Sequence, residues 1–328
     1  MKLEPNLWFD EVVKTYHLIS PHIHHTQLVT CPDLNEELGG RYLFKPESLQ
    51  ITGSFKVRGA LSAISRLSKD ELKRGVIAYS SGNHAQGVAH AAKVFNTPAT
   101  VVMPKDAPER KIANARALGA EVIFYERRTE SREEMSREIA KEKNLVIINP
   151  YDALETIYGQ GTAAYEVIHD AKNPKLDNAI ICAGGGGLTA GSCISIKHIN
   201  PECNVFTAEP EEWNDHQLSF EKNERIAMDT NRGGLCDGLL TPTPGEIPFA
   251  INTHFGVKGL SASDQAVCEA MRFAFNRLNL KLEPSGAVAL ACLLENKEKF
   301  KGTRTLVMLS GGNVDQKTFG ECLAKASQ

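Results

Sequence analysis

The sequence lacks any C-x-x-C pair, although it holds eight cysteines, at positions 31, 182, 193, 203, 236, 268, 292 and 322. Most sit in apolar runs such as AIICAGG and LACLL. Scattered in this way they read as buried free thiols of a reducing compartment, and a zinc site is not expected. An excess of charge is also missing, because 37 basic and 40 acidic residues leave a net charge of only −3. Nucleic acids and membrane surfaces normally demand concentrated positive charge, so neither is expected as a partner. No apolar run approaches the roughly 20 residues that span a bilayer. The first residues, MKLEPNLWFDEVV, are acidic and amphipathic and do not form a signal peptide. Together these absences point to the cytoplasm. His22, His24 and His25 cluster without a neighbouring cysteine or carboxylate pattern, and a local turn explains them better than a metal.

What is present is an ordinary globular composition, 42% hydrophobic and 23% charged over 328 residues. That length suggests two lobes rather than one. Strand-like runs stand at 41–45, 76–80, 99–103, 121–125, 145–149, 178–183, 204–209 and 305–309. Amphipathic stretches such as DELKRG, PERKIANARALGA and SREEMSREIAKEK lie between them. Strands buried on both faces and alternating with helices predict an α/β fold, with parallel sheets wrapped by helices. Sheets of this kind bind ligands beyond the carboxyl ends of their strands. Four loops with unusual sequences fall there: TGSFKVRGA (52–60), SSGNHAQG (80–87), AGGGGL (183–188) and SGGNVD (310–315).

Gly184, Gly185, Gly186 and Gly187 follow a strand and precede a helix. Backbone N–H groups can turn inward there, and the helix start adds positive potential, so a phosphate cradle is expected. Gly185, Gly187 and Ala190 also satisfy a G-x-G-x-x-A dinucleotide fingerprint, with Glu209 ending the next strand as a ribose-binding acid. A nicotinamide-dependent dehydrogenase is therefore the rival reading. It leaves Lys56 and Asn83 without a task. Lys56, set among small residues in TGSFKVRG, suits a lysine that joins an aldehyde cofactor and later moves a proton. The loop SSGNHAQG offers hydroxyls, an amide and an imidazole at a helix start, where a carboxylate can be received. One such residue would read as an ordinary N-cap. Ser310 stands at a strand end, where a neutral hydroxyl could meet a ring nitrogen.

With these four segments in one order, the sequence resembles the fold-type II pyridoxal-phosphate enzymes. Within them it is similar to the group of serine racemases and serine/threonine dehydratases. The likeness extends to IYGQGT (157–162), TAEP (207–210), CDG (236–238) and LEPSGA (282–287). It implies two lobes, a large one of residues 1–67 with 151–328 and a small one of 68–150, and a homodimer. It makes Lys56 the Schiff-base lysine, Phe55 a neighbour of the cofactor ring and Asn83 a partner of its phenolic oxygen. Gly184 to Gly187 with Leu188 would cradle the phosphate, and Ser310 would meet the pyridine nitrogen. Ser80, Ser81, Asn83 and His84 would hold the substrate carboxylate.

The resemblance also implies the reaction: loss of water and ammonia from L-serine, L-threonine or a related β-hydroxy amino acid. Racemisation needs a further proton donor on the face opposite Lys56, and racemases of the group carry a serine at the position of Ser81. Glu209 and Asp215, with the carbonyl of Trp213, correspond to a Mg²⁺ or Ca²⁺ site; the alternative is a solvated acidic loop. Ile51, Cys31 and Pro32 replace the residues through which some racemases bind a nucleotide, so nucleotide activation is not expected. Tyr79 and Tyr151 are departures near the substrate. A 3-hydroxyaspartate substrate would need an additional cation, for which Arg132 is the candidate. With the chain ending at residue 328, the isoleucine-inhibited form of threonine deaminase is not expected.

Overall fold

The computed structural model describes residues 5–80, 82–107, 109–126, 129–170, 175–229 and 233–326. Among them the strands are β1 (Val29–Thr30), β2 (Arg41–Pro46), β3 (Val76–Tyr79), β4 (Ala99–Pro104), β5 (Glu121–Tyr125), β6 (Val146–Ile147), β7 (Asn178–Cys182), β8 (Asn204–Pro210), β9 (Lys258–Ala262) and β10 (Arg304–Leu309). They form a six-stranded sheet in the order β1-β2-β10-β7-β8-β9 and a four-stranded sheet in the order β5-β4-β3-β6. Every pairing is parallel except β1 with β2. The central strands β4, β7 and β10 are buried along nearly their whole length, as parallel strands covered on both faces must be.

Two strands were not visible in the sequence. β9, KGLSA, alternates between exposed and buried positions at the sheet edge. β1 is only two residues long. The run at 145–149 pairs only over Val146–Ile147. Beyond it Asn149 bends the chain, its Oδ1 accepting from the N–H groups of Tyr151 at 3.1 Å and Asp152 at 2.8 Å. The amphipathic first residues form a helix, Pro5–Ile19, with Trp8, Val12, Thr15 and Ile19 buried. That spacing of three and four residues is one helical face.

The largest apolar core surrounds the six-stranded sheet. A second one joins the four-stranded sheet to Val57, Ala60, Leu61 and Ile64 of the helix Lys56–Ser65. The other side of that helix carries Arg58, wholly buried. Its guanidinium donates to Glu47 Oε2 at 2.7 Å and Oε1 at 2.9 Å, and to Glu166 Oε1 at 2.7 Å and Oε2 at 2.9 Å. Lys45 completes the cluster with an ammonium donating to Glu166 Oε2 at 2.5 Å. Two cations thus meet two anions out of water, which fixes the helix on its neighbours.

Candidate active site

The strands β3, β7 and β10 end at one cleft between the two sheets, and the turn ahead of Lys56 closes it. The cleft holds a cavity of about 130 Å³, lined among others by Lys56, Asn83, Gly184 and Ser310. The four segments singled out from sequence are thereby brought together. Phe55 N donates to the carbonyl of Ser310 at 3.2 Å, and a β-bridge joins Ser54 to Gly311. These contacts tie the Lys56 turn to the turn after β10.

Lys56 is the first residue of its helix. Its Nζ donates to the carbonyl of Pro150 at 2.9 Å and lies 5.0 Å from the centre of the Phe55 ring. Among the described residues no carboxylate forms an ion pair with it. Burial without a counter-charge pushes its pKa down to about 8. Some of its surface still opens on the cavity.

Gly184 to Gly187 lead from β7 into the helix Gly187–Ile199. Gly186 has φ +88°, in the left-handed region. A β-carbon on Gly185 would stand 2.2 Å from the Tyr151 ring, and one on Gly186 would stand 2.4 Å from His216 Cε1. No larger residue fits either place. A bare backbone at a helix start is suited to an anion, and Leu188 also lines the cavity. Beside this turn the buried Gln160 Oε1 has no hydrogen-bond partner among the described residues.

Beyond β3, Ser80 Oγ accepts from the N–H of Gly82 at 3.2 Å, ahead of the helix Asn83–Val94. Asn83 Nδ2 donates to Glu283 Oε1 at 2.6 Å, and its Oδ1 accepts from Asn313 Nδ2 at 2.7 Å. Burial raises the Glu283 carboxyl to about 7, against the opposing bond from Asn83. His84 donates from Nε2 to the carbonyl of Ile148 at 2.8 Å. Burial, with Lys56 nearby, lowers its pKa to about 3, so the ring is neutral; its Nδ1 is buried without a partner among the described residues. Ser81 lies outside the described residues. Ser310, almost wholly buried, directly follows β10, and burial raises the Cys182 thiol to about 11 against the opposing effect of Ser310.

Arg132 and Tyr79 line the same cavity, the guanidinium 6.0 Å from the ring centre and its Nε donating to Glu133 Oε1 at 2.8 Å. Across the cleft mouth Lys111 pairs with Asp237 at 2.9 Å. Sequence reasoning had no role for Glu283, Asn313, Cys182, Lys111 or Asp237. The one available signal was the acidic residue directly before a proline-initiated apolar helix in LEPSGA.

Glu209, Trp213 and Asp215 are all buried and stand apart from the cavity. Glu209 Oε1 accepts from His216 N at 2.8 Å and its Oε2 from Gln217 N at 2.9 Å. Trp213 Nε1 donates to the carbonyl of Gly233 at 3.2 Å. Burial raises the Asp215 carboxyl to about 8, and burial and Asp215 together raise that of Glu209. A solvated acidic loop does not describe this buried pair. Glu209 also cannot serve as a ribose acid from here, which removes the dinucleotide reading of the glycine turn. Among the described residues no group of three or more His, Cys, Asp or Glu side chains gathers as a metal cage.

A turn with little room for side chains, an unpaired amine beside an aromatic ring and a hydroxyl at a strand end suit a phosphorylated aromatic aldehyde. Comparison with known proteins agrees. The family described as pyridoxal-phosphate dependent enzyme matches residues 19–311. The chain is 39% identical over 316 residues to L-threo-3-hydroxyaspartate ammonia-lyase of Saccharomyces cerevisiae, covering 96% of each chain. It is 38% identical over 317 residues to serine racemase of Schizosaccharomyces pombe, covering 97% of each. The structure of the processed form of threonine deaminase isoform 2 from Solanum lycopersicum superposes with a TM-score of 0.92 at 30% identity, covering 99% of this chain and 95% of that one. The chain belongs to the pyridoxal-phosphate dependent enzymes of fold type II, in the group that holds serine racemases and the ammonia-lyases of β-hydroxy amino acids.

Proposed function

We propose that the chain removes the α-proton of L-serine or L-threonine through Lys56 and releases a 2-oxo acid and ammonia, with serine racemisation as a second activity. The observation that carries this is the Lys56 amine, unpaired and lowered to about 8, facing a glycine turn across one cavity. A lysine with a pKa near the working pH exchanges protons efficiently. The bound cofactor supplies an electron-withdrawing ring that acidifies the α-hydrogen.

The chain's own residues do the rest. Gly184 to Gly187 and Leu188 hold the phosphate with backbone donors, and Phe55 packs against the ring. Asn83, fixed between Glu283 and Asn313, presents its amide to the phenolic oxygen. Ser310 offers a neutral hydroxyl to the ring nitrogen, so the ring gains less positive charge than a carboxylate would induce. Ser80, Ser81, Asn83 and His84 receive the substrate carboxylate at a helix start, with His84 neutral and anchored by Ile148. Ser81 is the proton donor on the face opposite Lys56. The lobes 68–150 and 1–67 with 151–328 carry the two halves of this site, and the protein works as a cytoplasmic homodimer.

A specific observation favours 3-hydroxyaspartate as a further substrate. Arg132 lines the cavity beside Tyr79, where a cation can hold a second carboxylate. Incubation with a panel of β-hydroxy amino acids, following keto acid and the chirality of the remaining substrate, decides among these. If none of the panel yields keto acid and ammonia, the proposal fails.

The pair Glu209 and Asp215, with the Trp213 carbonyl, would hold Mg²⁺ or Ca²⁺. Among the described residues both Asp215 oxygens are buried without a hydrogen-bond partner, which suits a cation as their partner. Chelation should lower thermal stability and either ion should restore it. An unchanged melting point on chelation, and on Glu209→Ala, would remove the cation.

A further inference from the structure

We infer that His216 is a positioning residue for the cofactor phosphate, holding the glycine turn in its anion-binding shape from the side away from the cavity. This rests on the reading of Gly184 to Gly187 as the phosphate cradle. His216 is wholly buried and does not line the cavity, whereas all four glycines do. Its Nε2 lies 2.9 Å from the carbonyl of Gly184, 32 residues earlier in the chain. A carbonyl only accepts, so Nε2 carries the hydrogen and donates. The same ring fills the space where Gly186 would bear a side chain, with Cε1 2.4 Å from that point.

The consequence follows from the peptide unit. The C=O of Gly184 and the N–H of Gly185 belong to one planar group, and no peptide bond in the described chain is cis. They therefore point in opposite directions. Holding the Gly184 oxygen toward His216 turns the Gly185 N–H to the other side of the turn. The next carbonyl, that of Gly185, is held as well, by the N–H of Gly245 at 3.0 Å. A run of glycines has many backbone conformations open to it, so two fixed carbonyls select among them before any anion arrives.

His216 is itself fixed from behind. Its main-chain N–H donates to Glu209, whose second oxygen accepts from Gln217. Both amides lie in the first turn of the helix Asp215–Lys222, so the carboxylate caps the element that carries the imidazole. A path of contacts thus runs from Glu209 through His216 to Gly184.

The test compares binding of pyridoxal 5′-phosphate with that of pyridoxal, which lacks the phosphate, to cofactor-stripped protein followed by absorbance. His216→Phe keeps a ring against Gly186 and removes the donor, whereas His216→Gln retains an N–H donor. The wild type should strongly prefer the phosphorylated form. His216→Phe should lower that preference about tenfold or more, the scale of a hydrogen bond to a charged group. Its affinity for pyridoxal should stay close to wild type, and His216→Gln should recover most of the preference. If His216→Phe keeps the full preference, or weakens both ligands equally, His216 does not position the cradle. If the wild type shows no preference, the cradle reading itself is wrong, and the two failures are distinguishable.

Discussion

Lys56 and Arg58 stand two residues apart on one helix, and protein encloses the charged ends of both, yet their surroundings are opposite. Arg58 meets Glu47 and Glu166 through four short hydrogen bonds. Lys56 donates to the carbonyl of Pro150 and, among the described residues, has no carboxylate partner. The paired cation is locked in its charged form, because losing it would strand two carboxylates out of water. The unpaired one loses its proton more readily than an ordinary lysine, at about 8 against 10.5. The difference teaches how one helix holds both an anchor and a reactive amine. The anchor neutralises its charge, and the amine is denied a counter-ion.

The largest expected effect is at Lys56. Lys56→Ala should cut keto-acid formation by about 10²-fold or more, since a positioned acid–base group contributes roughly 10² to 10⁴. Its melting temperature should hold or rise, because an uncompensated buried amine is gone. Retained activity in that variant would erase the contrast between the two cations. Arg58→Met should act the other way, lowering stability by about 3–5 kcal/mol in urea titration, as expected when one member of a buried ion cluster is removed. An unchanged urea midpoint would show that the cluster is no anchor.

A smaller effect sharpens the role of Lys56 on its own face of the substrate. Ser81→Ala should reduce D-serine formation, and dehydration of D-serine, by more than about tenfold. Dehydration of L-serine should largely survive, as read by chiral chromatography beside a keto-acid assay. Normal racemisation by the variant would mean that the opposite-face donor lies elsewhere. The smallest effect is one of pH. Only the free amine can join the cofactor aldehyde, so uptake by stripped protein should quicken as pH rises toward about 8 and level off above it. A stopped-flow trace still climbing at about pH 10 would place the Lys56 pKa near that of a free lysine.

Much of the fold was legible because parallel strands are buried on both faces and therefore appear as continuous apolar runs. β5 was found with its limits unchanged, and β7 and β10 were placed within one residue at an end. β9 escaped because an edge strand containing Gly259 has no such run. Gly259 is required by packing, since a β-carbon there would stand 2.3 Å from Gln217 Cβ. In the site, the glycine turn and the Lys56 loop announced themselves through backbone needs that are local. Asn83 was also named, but not its partners. Glu283 and Asn313 lie 200 and 230 residues away, and no local pattern encodes such a pairing.

By itself the sequence determined the chemistry on offer: an amine among small residues, four glycines before a helix, hydroxyls and amides at two further helix starts. Each is a property of a few adjacent residues and their backbone. Only the tertiary structure decided which groups are charged and which way they face. Among the described residues Lys56 has no counter-ion, whereas Glu47 and Glu166 are both bonded to Arg58, and the Gly185 N–H turns as it does because His216 reaches Gly184 from behind. Charge state and peptide orientation depend on what lies within a few ångströms, and folding brings those neighbours from distant parts of the chain.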